Sequence, residues 1–187
     1  MRKFSILTDA LPDSVKVFDI DYPVHTSFRN WVQISSILAD KGIKDSKKAA
    51  EALKLCYKEK LPPNLISAML GMMTFLHRDT DYSVSQSKKP PLFSFVQDAD
   101  VIYASFMRQY GIDLTCQDMH WYTFCALLSA LSEENPFAAL VKIRSLDESS
   151  VKDPSRRAKL AELKARFALQ DTFTREIDVA GKIETLF

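Results

Sequence analysis

Four glycines in 187 residues leave this chain few places to turn tightly. They stand at Gly42, Gly71, Gly111 and Gly181, and even the nearest two are far apart. A β-sandwich draws on turn glycines repeatedly, and a phosphate-cradling loop needs several within one turn. Both are excluded as expectations. A chain that turns with Asn, Asp, Ser and Pro instead is one that starts and stops helices, because those residues cap helix ends.

The spacing of apolar residues agrees. Thr26 or Ser27 can cap a helix with Phe28, Trp31, Ser35 and Leu38 on one face, ended by Gly42. A second begins at Asp45 or Ser46, with Ala49, Ala50, Leu53, Cys56 and Tyr57 inside. Pro62-Pro63-Asn64 stops it and starts a third, with Leu65, Met69, Met72, Met73 and Leu76 on one face. A fourth starts at Asp98 and Asp100, where the helix dipole favours carboxylates. It carries Ala99, Ile102, Tyr103, Phe106 and Tyr110 and closes on Gly111. A fifth runs from about Asp118 to Leu131 with Trp121, Phe124, Cys125 and Leu128 inward. Asn135-Pro136 and Asp153-Pro154 each start another. Val15 and Val17 alternate with polar neighbours, so Ser14 to Thr26 reads as a hairpin turning through Phe18-Asp19-Ile20-Asp21. Leu92 to Phe95 reads as a short strand. The expected fold is mainly α: a compact bundle of six or seven helices with a small N-terminal β-hairpin. Tyr103, Phe106, Trp121, Phe124 and Leu128 are expected to be buried together.

Composition sets the class. Apolar residues make up 47% and charged residues 26%, enough for a core without staples, and the net charge is +1, which calls for no nucleic acid. Three cysteines without a CxxC pair read as thiols in a reducing compartment. The longest uncharged stretch, Leu61 to Leu76, is short of the ~20 residues a spanning helix needs. The protein is therefore expected in the cytoplasm and off the membrane. One helical domain is expected over residues 1–169. Its polar stretch near 79–91 is a surface excursion or a hinge between two helical halves. Residues 170–187 form a C-terminal amphipathic tail.

No constellation demands chemistry. Cys116, His120 and Cys125 are close in sequence, but zinc wants three or four converging ligands and Cys125 shares the apolar stripe with Trp121. Asp98 and Asp100 diverge on a helix, and Asp9 and Asp13 flank a turn. No GxSxG elbow occurs, and only His25, His77 and His120 could serve as bases. No catalytic residue, metal or cofactor is expected. Two surfaces merit weighing. Lys152 to Arg166 holds six basic residues against two acidic ones, which reads first as a solvated face and second as a phosphate or acidic-partner contact. Met69, Met72 and Met73 share one helix and read first as core, second as an adaptable apolar surface.

Several stretches carry a resemblance. They are Leu-Thr-Asp-Ala-Leu-Pro-Asp-Ser-Val (Leu7 to Val15), Tyr-Pro-Val-His-Thr-Ser-Phe-Arg-Asn-Trp (Tyr22 to Trp31) and Phe-Ser-Phe-Val-Gln-Asp-Ala-Asp-Val-Ile-Tyr-Ala-Ser-Phe (Phe93 to Phe106). Gln-Tyr-Gly-Ile-Asp-Leu (Gln109 to Leu114), His-Trp-Tyr-Thr-Phe-Cys-Ala-Leu-Leu (His120 to Leu128) and Arg144-Ser145-Leu146 follow. Together they resemble the bacteriophage gp-fifteen family of tailed phages and prophages of Gram-positive bacteria, over about Leu7 to Leu169. The resemblance implies no catalytic residues. It implies a place in the tail-morphogenesis module, between the major tail protein and the tape measure, where tail assembly chaperones are commonly encoded. The expectation is a tail assembly chaperone-like protein of the host cytoplasm whose partners are the tape-measure protein and the tail tube protein. The alternatives are a structural tail component retained in the virion and, further off, a nucleic-acid-binding accessory protein. The expected partner-binding residues are Met69, Met72 and Met73 on the third helix, and Phe173, Ile177, Ile183 and Phe187 in the tail. Those last four keep helical spacing around Gly181 and are expected to dock on the chain's own groove or to build a homo-oligomer.

Overall fold

The structure is a computed structural model and describes residues 5–78 and 91–170. In chain order these form β1 (Ser14–Val17), β2 (Ile20–Pro23), α1 (Phe28–Ala39), α2 (Asp45–Cys56), α3 (Leu65–Leu76), α4 (Ala99–Tyr110), α5 (Trp121–Ser129), α6 (Pro136–Ser145) and α7 (Pro154–Arg166). A short 3₁₀ turn, Glu148–Ser150, precedes α7. The fold is mainly α, with seven helices and one two-stranded antiparallel hairpin among the described residues. The chain divides into two compact units. The first is Met1–Lys88 with Thr115–Leu127, and the second is Lys89–Leu114 with Leu128–Phe187.

The first unit is built on stacked aromatic rings. Trp31 of α1 is fully buried and stacks on Phe75 of α3 at 4.7 Å and on Trp121 of α5 at 6.3 Å. Phe28 stacks on Phe124 at 4.8 Å. Buried indoles must place their N–H groups. Trp31 Nε1 donates to the His25 carbonyl at 2.6 Å, and Trp121 Nε1 donates to the Leu76 carbonyl at 3.1 Å. Ser27 caps α1, its hydroxyl accepting from the Arg29 amide. Two backbone bonds, Phe28 to Met119 at 2.9 Å and Trp121 to Thr26 at 2.7 Å, then fasten the start of α5 to the start of α1.

The hairpin turns more tightly than its sequence suggests. Val17 pairs with Ile20, so the turn is Phe18-Asp19 alone, and Ile20 and Asp21 belong to β2. Both turn residues take positive φ, at 49° and 59°, as a two-residue turn that follows the strand twist requires. Val15 and Val17 lie against α3 at Gly71. A Cβ there would meet Tyr57 Oη at 2.7 Å and the Val17 methyl at 3.0 Å. The third helix is therefore turned about its axis from the expected orientation. Its inner face is Ser67, Ala68, Gly71, Met72 and Phe75, and Leu65, expected inside, is 59% exposed. A helix apolar on every side gives periodicity nothing to choose between. The small residues at 68 and 71 choose instead, because they admit the close approach of the hairpin.

The second unit packs α4 on α6 and α6 on α7. Gly111 closes α4 in the left-handed conformation at φ 66°, as expected. Asn135 caps α6, its side chain accepting from the Phe137 amide and donating to the Ser105 carbonyl of α4. The stretch from Leu92 to Phe95 is not a strand. It enters a turn in which the Ser94 hydroxyl accepts from the Val96 and Gln97 amides, a local bonding pattern that competes with extended structure. Of the five residues expected to be buried together, Trp121 and Phe124 are core in the first unit and Phe106 is core in the second. Tyr103 and Leu128 are only half-buried.

Replacing Gly71 by alanine should lower stability by about 1–3 kcal/mol, because the new methyl group displaces either the Tyr57 hydroxyl or the hairpin. Denaturant unfolding of Gly71→Ala with an unchanged midpoint would contradict this packing.

Candidate functional site

The feature that stands apart is the outer side of α3. Asn64 starts the helix, its side chain accepting from the Ser67 amide at 2.8 Å. Twelve residues follow without a charge: Leu-Ile-Ser-Ala-Met-Leu-Gly-Met-Met-Thr-Phe-Leu. A helix apolar all round is normally covered all round. Here one side is covered and the other is not. Ile66 is 73% exposed and Leu70 is 55% exposed, and Met69 and Met73 are half-buried beside them. These four recur at the spacing of one helix face, i, i+3, i+4 and i+7. Leu61 and Leu65, more than half exposed, extend the apolar surface at the N-terminal end.

This placement redistributes the methionines. Met72 is fully buried in the core and presents no surface, so it drops out of the expected binding set. Met69 and Met73 border the open face. Phe173, Ile177, Ile183 and Phe187 lie outside the described residues. Ile66 and Leu70, which sequence reasoning passed over, are the most exposed members of the face. The signal for them was present in the unbroken apolar run, which exceeds what one side of a helix can bury.

The hairpin tip adds to the exposed apolar surface of the first unit. Phe18 is 70% exposed and Ile20 is 57% exposed. Among the described residues, the large apolar ones more than half exposed are Leu7, Phe18, Ile20, Leu61, Leu65, Ile66 and Leu70 in the first unit and Val96 in the second. Exposed apolar surface of this kind marks a candidate docking surface in the first unit.

The polar residues of the sequence motifs have structural partners. His120 Nε2 lies 2.8 Å from the Pro12 carbonyl, and Nδ1 accepts from the Tyr122 amide at 3.0 Å. Both ring nitrogens are thus bonded to backbone, with the neutral tautomer protonated on Nε2 and the ring capping α5. Ser27 donates to Asp118 at 2.7 Å, and Arg29 pairs with the same carboxylate at 3.1 Å. Asp98, expected to serve the α4 dipole, has another task. Its carboxylate is buried and accepts from Arg144 at 2.6 and 2.9 Å and from the Ser94 amide at 2.9 Å. Gln97 bonds the Ala168 carbonyl and the Gln170 amide. Gln109 accepts from the Ser132 amide and donates to the Ala130 carbonyl. These bonds clamp neighbouring segments together.

The thiols differ sharply. Burial pushes Cys56 up to about 12, and burial also pushes Cys125 up to about 12 against the opposing pull of the Arg78 charge. Cys116 is exposed. Among the described residues no three His, Cys, Asp or Glu side chains are placed to hold a metal ion. On the basic helix three of the six cations are engaged locally. Arg156 pairs with Asp153, Arg157 bonds the Val151 carbonyl, and Lys164 reaches Glu148 and the Leu146 carbonyl. No helix among the described residues is long and apolar enough to cross a membrane.

A family model described as Bacteriophage Gp15 protein matches residues 7–169, most of the chain. The chain belongs to the bacteriophage Gp15 protein family. No curated protein and no solved structure matches it. Family membership makes this a phage-related protein, and it gives the clamps their context. The Ser94 to Asp98 segment and Arg144, two of the stretches that carry the resemblance, meet in one buried cluster.

In the native protein at pH 8, a thiol reagent should label Cys116 quickly. Cys56 and Cys125 should react only after unfolding, since at a pKa of about 12 roughly one thiol in ten thousand is ionised at that pH. Mass spectrometry finding Cys125 labelled as fast as Cys116 would contradict the burial described.

Proposed function

We propose that this protein is a tail assembly chaperone-like factor that holds an amphipathic helix of another tail-module protein on the outer face of α3. The observation that carries the reading is the uncharged α3 helix, buried through Met72 and Phe75 and open at Ile66 and Leu70. An apolar helix face is what helix-in-groove recognition uses, with side chains at i, i+3, i+4 and i+7 as anchors. Methionine suits the edges of such a face, because its flexible thioether fits partners of differing shape. The place in the tail-morphogenesis module that the resemblance implies supports a choice of partners. The tape-measure protein, rich in apolar helices before tube subunits enclose it, is the first, and the tail tube protein is the second. On this reading the protein acts in the cytoplasm of the bacterial host, binds without catalysis and uses no cofactor. Three of the six cations at the basic helix are engaged locally, which favours a solvated face over a nucleic-acid contact.

Co-expression with the tape-measure protein of the same phage tests the proposal. The two should co-purify, and Ile66→Asp with Leu70→Asp should abolish co-purification while leaving the melting temperature within about 5 °C, since both side chains are more than half exposed. The protein should be absent from purified particles. Its recovery in particles at fixed stoichiometry would favour a structural tail component instead.

A further inference from the structure

The chain that leads into the apolar face of α3 carries a net positive charge. From Lys41 to Lys60, across α2 and the link into α3, there are seven lysines against three acidic residues. Lys47 and Lys48 reach Glu51 and Asp45 at 3.7 Å. Lys54, Lys58 and Lys60 are exposed and make no ion pair among the described residues. Lys58 and Lys60, with the exposed Glu59 between them, come directly before Leu61 in the link that enters α3, and Lys54 lies in the last turn of α2. The amides of the first turn of α3 add positive potential where that link enters the helix, as the N-terminus of any helix does. No acidic residue lies within α3 to offset it.

We infer that the helix held on α3 carries acidic residues along the flanks of its apolar stripe, concentrated at the end that lies over Lys54, Lys58 and Lys60. The inference rests on the proposed helix-binding role of the α3 face and specifies the chemistry of its partner. Apolar contact with Ile66, Met69, Leu70 and Met73 supplies attraction without direction. The lysines supply direction and discrimination, because a basic helix would meet like charge and an acidic one would meet its complement. The attraction acts between solvent-exposed charges, so it weakens as the screening length falls from about 30 Å at 0.01 M salt to about 8 Å at 0.15 M.

Two synthetic helices of about 18 residues, long enough to match α3, test this. Both carry the same Leu stripe, one flanked by Glu and the other by Lys. Each is titrated into the full-length protein by fluorescence anisotropy. The Glu-flanked peptide should bind about tenfold tighter at low salt, and the preference should shrink as salt is raised. In the double variant Lys58→Glu and Lys60→Glu the preference should reverse. Both substitutions are on exposed positions, and circular dichroism should report an unchanged fold. Equal affinity for the two peptides, or tighter binding of the Lys-flanked one, overturns the acidic-partner inference and leaves helix binding standing. Failure of both peptides to bind overturns the helix-binding role as well. Binding to phosphatidylserine vesicles in place of either peptide would assign the face to an anionic lipid surface and overturn both.

Discussion

Arg144 reaches from α6 to Asp98 at the start of α4, and four segments of the second unit meet on that pair. Its Nε donates to the Phe167 carbonyl beyond α7 at 2.7 Å, and one terminal nitrogen also reaches the Leu92 carbonyl at 3.1 Å. Asp98 in turn accepts from the Ser94 amide. Both side chains are more than nine-tenths buried. Taking two charges out of water costs several kcal/mol each, and only close bidentate geometry with the remaining donors satisfied offsets it. That condition is met here. The cost of losing one partner, about 3–5 kcal/mol, comes mostly from stranding the other charge without water. A planar fork with five donors can serve carboxylate and carbonyls together, and lysine cannot.

The first unit is organised by a different force. Its core is a stack of rings on Trp31, and its polar groups fix the starts of α1, α3 and α5 and tie Tyr57 to the Ala68 carbonyl. Such a core is dense and insensitive to salt, and it leaves α3 with more apolar surface than the unit can use. Gly71 determines which side is spent on the hairpin. The opposite side remains as Ile66 and Leu70 with methionine borders, rigidly presented because the inner side is close-packed. Function on this account is a consequence of an over-apolar helix held in place by its inner half.

Much of the helical framework was legible in the sequence. The caps at Ser27, Asn64, Asn135 and Asp153 and the stop at Gly111 lie where their residue types require. These are local signals, and local bonds satisfy them. What was not legible depends on contacts between distant residues. The facing of α3 turned on the approach of Val15 and Val17 to Gly71. The fate of Leu92 to Phe95 turned on the Ser94 and Asp98 bonds, and the role of Asp98 turned on an arginine 46 residues away. On the methionine helix Met72 belongs to the core, and the more exposed Ile66 and Leu70 were hidden within a run that carries no charge to mark its outer side.

On the proposed function a partner docks on the outer face of α3. Methionine-methyl NMR reads that face directly, because Met69 and Met73 border it, Met72 lies beneath it, and Met107 and Met119 stand elsewhere in the chain. On titration with a tape-measure fragment, the Met69 and Met73 methyl signals should shift first and furthest, with Met107 and Met119 unmoved. Shifts centred on Met107, or a complex that leaves Met69 and Met73 unchanged, would contradict the account.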